Sequence, residues 1–367
     1  MNNILYEIFE QVKNKKARGD SIIELNIGEP DQMPPSKFLR MAGQFVKQGN
    51  IKYGSAVGEI DLKQTIAERH AVEIGNVIIG PGSKFLIFAC LKTLLTRKDD
   101  EVIVPVPSWG TYTAMINNIG FGKIRYLVNS LKENWQIDLN KLHSLINKKT
   151  KVLIICDPSN PTSTKLKKEI KHEIIRIADK NKVKIILDNA YEGLIFAKHK
   201  QEKFKKIDNF IQIFSFSKTF AMTGFRLGYA IADQKIINEI AKFNQITITC
   251  VPPFIQQAGL IALSQESNFT KNLVRIYQQR AILAEKVLKQ AGIEFIKPAA
   301  GLYIFAKISG INAEQFCLKL LNKGVAIVPG TAFGPFPEFI RISLTAPEEK
   351  LIRGLNIMVN EYKRGTI

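Results

Sequence analysis

The chain has little with which to cross a membrane, staple itself together or hold a metal. No apolar run approaches the ~20 residues of a bilayer-spanning helix, although 46% of the 367 residues are hydrophobic, so no membrane partner is expected. The four cysteines, Cys90, Cys156, Cys250 and Cys317, are far apart and form no C-x-x-C pair. Three of them lie in apolar runs. Free buried thiols in a reducing compartment therefore fit better than disulfides or a thiolate metal site, and the expected location is cytoplasmic. Internal repeats and low-complexity linkers are also missing. Acidic residues are scarce, 33 against 52 Lys and Arg, which leaves a net charge of +19. Such a charge invites a nucleic-acid reading. The lysines, however, fall in many short clusters, such as 13–16, 165–171 and 198–206, with acidic residues among and between them. No nucleic-acid-binding motif accompanies them. The expectation is a lysine-rich solvated surface without a specific nucleic-acid partner, with non-specific polyanion affinity at low salt.

What is present is organised. Residues 1–16 alternate Ile4, Leu5, Ile8, Phe9 and Val12 with Glu7, Glu10, Lys13 and Lys15. That reads as an amphipathic helix rather than a signal peptide, which needs a continuous apolar centre. Short apolar runs at 77–79, 102–104, 124–127, 152–155, 184–187, 211–214 and 227–232 read as buried strands, and helical periodicity at 61–74, 85–95 and 170–181 lies between them. This alternation predicts an α/β fold, a mainly parallel sheet covered by helices on both faces, with its site beyond the carboxyl ends of the strands. After residue 264 the pattern changes to a long charged helix at 268–291, short strands at 303–306, 326–328 and 339–342, and a final helix at 348–362. The expected division is an N-terminal arm (1–45) packing on a smaller α+β unit (266–367), with a large unit (46–265) between them.

One stretch carries chemistry. Ser215-Phe216-Ser217-Lys218-Thr219 and Gly224-Phe225-Arg226-Leu227-Gly228-Tyr229 lie between two apolar runs. A lysine held between buried strands is costly to keep charged, because desolvation favours the neutral amine. A neutral lysine amine is the nucleophile that forms a Schiff base with an aldehyde. Ser215, Ser217 and Arg226 are suited to a phosphate, since a guanidinium binds two phosphate oxygens at once. An aldehyde and a phosphate on one small molecule describe pyridoxal 5′-phosphate (PLP).

The stretch resembles the PLP-lysine motif of the class I/II aminotransferases, S-x-S-K followed by G-x-R-x-G-[YW]. The resemblance extends over nearly the whole chain, through about eight elements in the family's order. It implies the fold-type I architecture: a large domain with a mainly parallel seven-stranded sheet between helices, and a smaller α+β domain. Asp188 and Tyr191, in Asp188-Asn189-Ala190-Tyr191, match the aspartate that keeps the pyridine nitrogen protonated and the tyrosine that donates to the phenolic oxygen. Taken by itself, Asp188 at a strand end is also a turn or helix-cap aspartate. Asn160, in Pro158-Ser159-Asn160-Pro161-Thr162, matches the asparagine near the phenolic oxygen and the substrate carboxylate; Ser163 departs from the glycine often found there. Gly82 and Ser83, in Gly80-Pro81-Gly82-Ser83-Lys84, match the phosphate cup at a helix start. Lys84 reaches the phosphate with its backbone or the substrate with its side chain. Trp109 matches the aromatic that stacks on the pyridine ring. Tyr53 matches a tyrosine that reaches the cofactor phosphate of the other subunit, which implies a homodimer with shared active sites.

Two elements address the substrate. Arg341, in Ile340-Arg341-Ile342-Ser343, needs an anionic partner, and a planar carboxylate fits it bidentately. A protein carboxylate would satisfy it equally well. The resemblance assigns it the α-carboxylate of an amino acid. Gly28, in Asn26-Ile27-Gly28-Glu29-Pro30, belongs to a loop that closes over the substrate. The implied activity is transfer of an α-amino group from an amino acid to a 2-oxo acid, with Lys218 as the Schiff-base lysine that moves the α-proton. Aspartate with 2-oxoglutarate is the preferred pair; aromatic or aliphatic donors, and C–S β-elimination on the same scaffold, are the alternatives. A PLP-binding transcription regulator would carry a DNA-binding domain ahead of the aminotransferase-like part, and the stretch before Lys47 is too short for one.

Overall fold

The computed structural model describes residues 4–49, 51–196, 209–264 and 266–365. The lysine cluster at 198–206 lies outside the described residues. A two-residue strand, β1 (Ile23–Glu24), precedes the main sheet, which is built from β2 (Val77–Gly80), β3 (Glu101–Val106), β4 (Lys123–Val128), β5 (Thr150–Cys156), β6 (Lys184–Asp188), β7 (Phe210–Ser215) and β8 (Gly228–Ile231). Their order in space is β2-β8-β7-β6-β5-β3-β4. Only β8 runs antiparallel to its neighbours; β7, β6, β5, β3 and β4 pair in parallel.

The central strands are nearly all apolar because both of their faces are covered. Successive residues then belong to different cores. Val104, Ile154, Ile186 and Ile213 face the helix Ser83–Leu94 through its Leu86, Cys90 and Leu91. Ile103, Leu153, Ile155, Ile185 and Leu187 face the helix Lys168–Asn181 through Ile174, Ile177 and Ala178. β4 is an edge, and its residues Lys123, Tyr126 and Val128 are exposed. The helix expected over 61–74 runs Ile60–His70. Ala71 adopts the left-handed conformation at its end, and a single 3₁₀ turn, Ile74–Asn76, leads into β2.

The second body has a four-stranded sheet, β12-β13-β10-β9, from β9 (Glu294–Phe295), β10 (Tyr303–Lys307), β12 (Val328–Pro329) and β13 (Phe339–Ser343). The strand expected at 326–328 is divided. β11 (Val325–Ala326) pairs in parallel with β1, whereas β12 joins β13, so the chain changes sheets at Ile327. Helices Glu266–Gln290 and Glu348–Gly365 flank this body.

The first 45 residues do not all pack on the smaller body as expected. Helix Ile4–Ala17 places Ile8 and Val12 in the smaller core but Leu5 in the larger one. Helix Ser36–Lys47 buries Phe38 among Leu62, Ile66 and Ala262 of the larger body. The physical reason is that its one fully apolar anchor faces helices Ile60–His70 and Pro253–Ser264, not the smaller sheet. No helix among the described residues is long and apolar enough to cross a membrane.

Candidate active site

The carboxyl ends of β5, β6 and β7 and the start of β8 lie together at one end of the sheet. At the end of β7, Ser215 caps a short helix, Phe216–Thr219, by accepting from the Ser217 N–H at 3.1 Å. This turn places Lys218 where the sheet ends. Burial lowers its pKa from 10.5 to about 8; Glu29 opposes the shift, and Arg226 and Arg341 reinforce it. The amine is thus a base and nucleophile within reach of neutrality, as such chemistry requires.

At the neighbouring strand end, Asp188 is 3% exposed. Its carboxylate accepts from the Tyr112 hydroxyl at 2.6 Å and from the Ala190 N–H at 3.1 Å. Burial pushes its pKa up, and these two donors pull it back. A cationic ring nitrogen beside it would hold it ionised. Trp109 stands edge-on to Tyr112, with ring centroids 5.5 Å apart.

Beside them, glycine and cation come together: Gly82 lies against the Arg226 guanidinium. Gly82 has φ +86° and precedes the helix Ser83–Leu94, whose first N–H groups open toward it. The positive φ of Gly82 favours glycine there, and a Cβ would also lie 2.7 Å from an Arg226 guanidinium nitrogen and push it aside. A Cβ on Gly228 would meet the Ser83 backbone nitrogen at 2.9 Å. Arg226 itself sits at φ +51°, donates to the Thr223 carbonyl at 2.7 Å, and has no carboxylate partner among the described residues. Helix N-terminus, free guanidinium and hydroxyls together fit a phosphate ester. With Lys218 and Asp188 alongside, they fit PLP.

Across the cavity, Arg341 is 3% exposed. It donates to the Asn26 carbonyl at 2.6 Å and to Asn160 Oδ1 at 3.2 Å, and its Nε has no partner. Its guanidinium lies 4.3 Å from the centre of the Tyr303 ring and 4.9 Å from that of Phe333. None of these partners is anionic. A buried cation without a carboxylate is expensive unless one arrives, which favours a ligand over the structural ion pair. Asn160 turns its Nδ2 to the Tyr191 hydroxyl at 3.4 Å, and Tyr191 meets the Tyr303 hydroxyl at 3.0 Å. Gly28 is required there: a Cβ on it would lie 1.7 Å from the Tyr303 oxygen. The loop bearing Gly28 is pinned by Asp31, which burial alone would raise but which Arg280, at 2.8 Å, holds below the usual range.

Two expected residues stand differently. Lys84 is exposed, donates to the Tyr6 hydroxyl at 3.2 Å and lies 5.2 Å over Trp109, away from the cradle. Tyr53 is 87% exposed and touches none of the others within one chain. Ser163, in place of glycine, keeps a left-handed backbone (φ +52°), and its hydroxyl accepts from the Tyr303 N–H at 3.1 Å. Sequence reasoning missed Tyr303, Tyr112 and Asn26. The first two look like core aromatics, and only the spacing of Tyr303 from Arg341 in adjacent strands could have flagged it.

The fold and this site define a fold-type I PLP enzyme. The family model for "Aminotransferase class I and II" matches residues 20–356. An aspartate aminotransferase from Thermococcus kodakarensis is 32% identical over 98% of this chain and 93% of its own length. An aromatic-amino-acid aminotransferase from Thermococcus litoralis is 30% identical, covering 94% and 92%. The crystal structure of aspartate aminotransferase from Thermotoga maritima superposes with a TM-score of 0.92 at 29% identity, covering 98% of this chain and 97% of that one. The chain belongs to the class I and II aminotransferases. It is a PLP-dependent transferase acting on an amino acid and a 2-oxo acid.

Proposed function

We propose that the enzyme moves the α-amino group of aspartate to 2-oxoglutarate. The observation that carries the substrate class is Arg341, a buried cation without an anion, facing a lysine whose pKa has fallen to about 8. For a dicarboxylic donor, Lys84 supplies a second cation, since its only polar partner among the described residues is the neutral Tyr6 hydroxyl. The names of the relatives favour aspartate.

When bound, PLP supplies the electron sink that lets the amino acid lose its α-proton. Lys218 is the group that takes this proton and returns it, its amine being neutral for part of the time near pH 8. Arg341 and Asn160 orient the amino acid by its α-carboxylate. Asp188, braced by Tyr112, would hold the proton on the ring nitrogen. Tyr191 would donate to the phenolic oxygen, and Trp109 would cover the ring. Gly82, Ser83, Ser215, Ser217 and Arg226 would seat the phosphate, with Lys84 contributing its backbone.

Tyr53 then acts in the partner's site, and the enzyme is a homodimer with shared active sites. Its exposure, with that of Ile51 (69%) and Ile60 (71%) nearby, fits a surface that a second copy covers. The chain divides into a large unit, 46–265, and a small unit, 266–367, with 1–45 shared between them. Four unpaired thiols fit the cytoplasm.

Absorption spectra of the holoenzyme with single amino acids test this reading. The visible band of lysine-bound cofactor should bleach with aspartate and return with 2-oxoglutarate. Faster bleaching by an aromatic amino acid would replace the donor. Pyruvate and ammonia released from cystathionine without a 2-oxo acid would replace the reaction.

A further inference from the structure

Four side chains from both bodies close a ring: Arg341, Asn160, Tyr191 and Tyr303. Arg341 gives a proton to Asn160 Oδ1. That fixes the amide, so Nδ2 is the group facing Tyr191, and Nδ2 can only donate. Tyr303 is 2% exposed. Among the described residues its hydroxyl has a single acceptor, the Tyr191 oxygen at 3.0 Å. Either hydroxyl could donate to the other by geometry alone; with the Tyr191 proton given to the phenolic oxygen, as its assigned role requires, Tyr303 is the donor of the pair, since a buried hydroxyl proton seldom goes unused. The Tyr191 oxygen then accepts twice within the ring, and its own proton has no acceptor left there. It is free to be given to the cavity.

We infer that Tyr303 is a positioning residue of this enzyme: its hydroxyl turns the Tyr191 proton toward the phenolic oxygen of the cofactor. The inference rests on the assignment of Tyr191 to that oxygen. Three features hold Tyr303 for this task. Ser163 accepts its backbone N–H. Arg341 lies on its ring face. Gly28 leaves room for the hydroxyl, which a Cβ there would strike. The pairing of β10 with β13, Phe305 opposite Arg341 and Tyr303 opposite Ser343, puts Tyr303 and Arg341 on one face of the sheet. The ring therefore joins the group that would meet the substrate carboxylate to the group that would meet the cofactor oxygen.

The sign of the effect is determined. A donor at the phenolic oxygen favours the form in which that oxygen is charged and the lysine-linked nitrogen has lost its proton. Without Tyr303, Tyr191 is a weaker donor, and the linkage keeps its proton to higher pH. Tyr191 is faced by Tyr303, Cys156 and Arg341, and Lys218 by Glu29, Arg226 and Arg341; Tyr303→Phe changes none of these charges. It also keeps the ring under Arg341.

The test is a spectrophotometric pH titration of the holoenzyme, wild type, Tyr303→Phe and Tyr191→Phe, with maleate binding measured in parallel. The expected result is an upward shift of about half a pH unit in Tyr303→Phe, roughly threefold in proton affinity, as for one neutral hydrogen bond acting through another. Tyr191→Phe should shift further. Maleate affinity in Tyr303→Phe should stay within about twofold, because the ring under the guanidinium remains. An unchanged or lowered midpoint in Tyr303→Phe, with a shifted one in Tyr191→Phe, overturns the role of Tyr303 alone. No shift in either variant overturns the assignment of Tyr191 as well.

Discussion

Arg341→Lys keeps the charge and removes the fork. In the native chain two guanidinium nitrogens are committed to Asn26 and Asn160, and the plane lies between Tyr303 and Phe333. An ammonium has no plane to stack and cannot serve two carboxylate oxygens while holding both protein acceptors. One charged hydrogen bond to the substrate is lost, about 1.5–3 kcal/mol, together with part of a stacking contribution of about 0.5–2 kcal/mol. The sum, about 3 kcal/mol, corresponds to a fall of roughly a hundredfold to several hundredfold in kcat/KM. The assay is single-turnover bleaching of the cofactor band, run with an amino acid and with a simple amine that lacks the α-carboxylate. The variant should lose its ground only with the amino acid, and the wild-type advantage should shrink to about one with the amine. Equal losses with both substrates would mean that Arg341 supports the fold rather than the carboxylate. A loss below about threefold with the amino acid would refute the argument outright.

Two further outcomes follow from the same geometry. Lys218 has a folded-state pKa of about 8 against its usual 10.5. Between these values the unfolded chain binds a proton that the folded chain does not, so apo-enzyme stability should climb with pH across that window. Urea midpoints of Lys218→Met should lack this rise, and parallel curves for the two proteins would show that burial of Lys218 has no thermodynamic consequence. Mixing Lys218→Ala subunits with Tyr53→Ala subunits should give more activity than either alone, because one site per mixed dimer would draw both residues from intact copies; no gain on mixing would remove Tyr53 from the partner's site.

The fold was largely legible because its parallel strands are buried on both faces and so read as continuous apolar runs. The division at Ile327 was not legible, since one apolar stretch serves two sheets and nothing local marks the change. Lys218 announced itself through the motif between its flanking strands, and Arg341 through the oddity of a guanidinium in an apolar strand. Tyr303 did neither. Its role depends on the hydroxyl of Tyr191, which lies 112 positions earlier, and a tyrosine at the head of a strand looks like packing. Tyr53 is a different case: an 87% exposed tyrosine in a loop looks like ordinary surface, and only the family motif singled it out.

The N-terminal helix is a mechanical element as well as an amphipathic one. Leu5 is seated in one core and Ile8, three positions later, in the other, which is less than one helical turn of about 5.4 Å. Between them Tyr6 reaches Lys84 beside Trp109. One short stretch of stiff rod is thus anchored in both cores at once, so parting the two cores at this seam would expose either Leu5 or Ile8 to water.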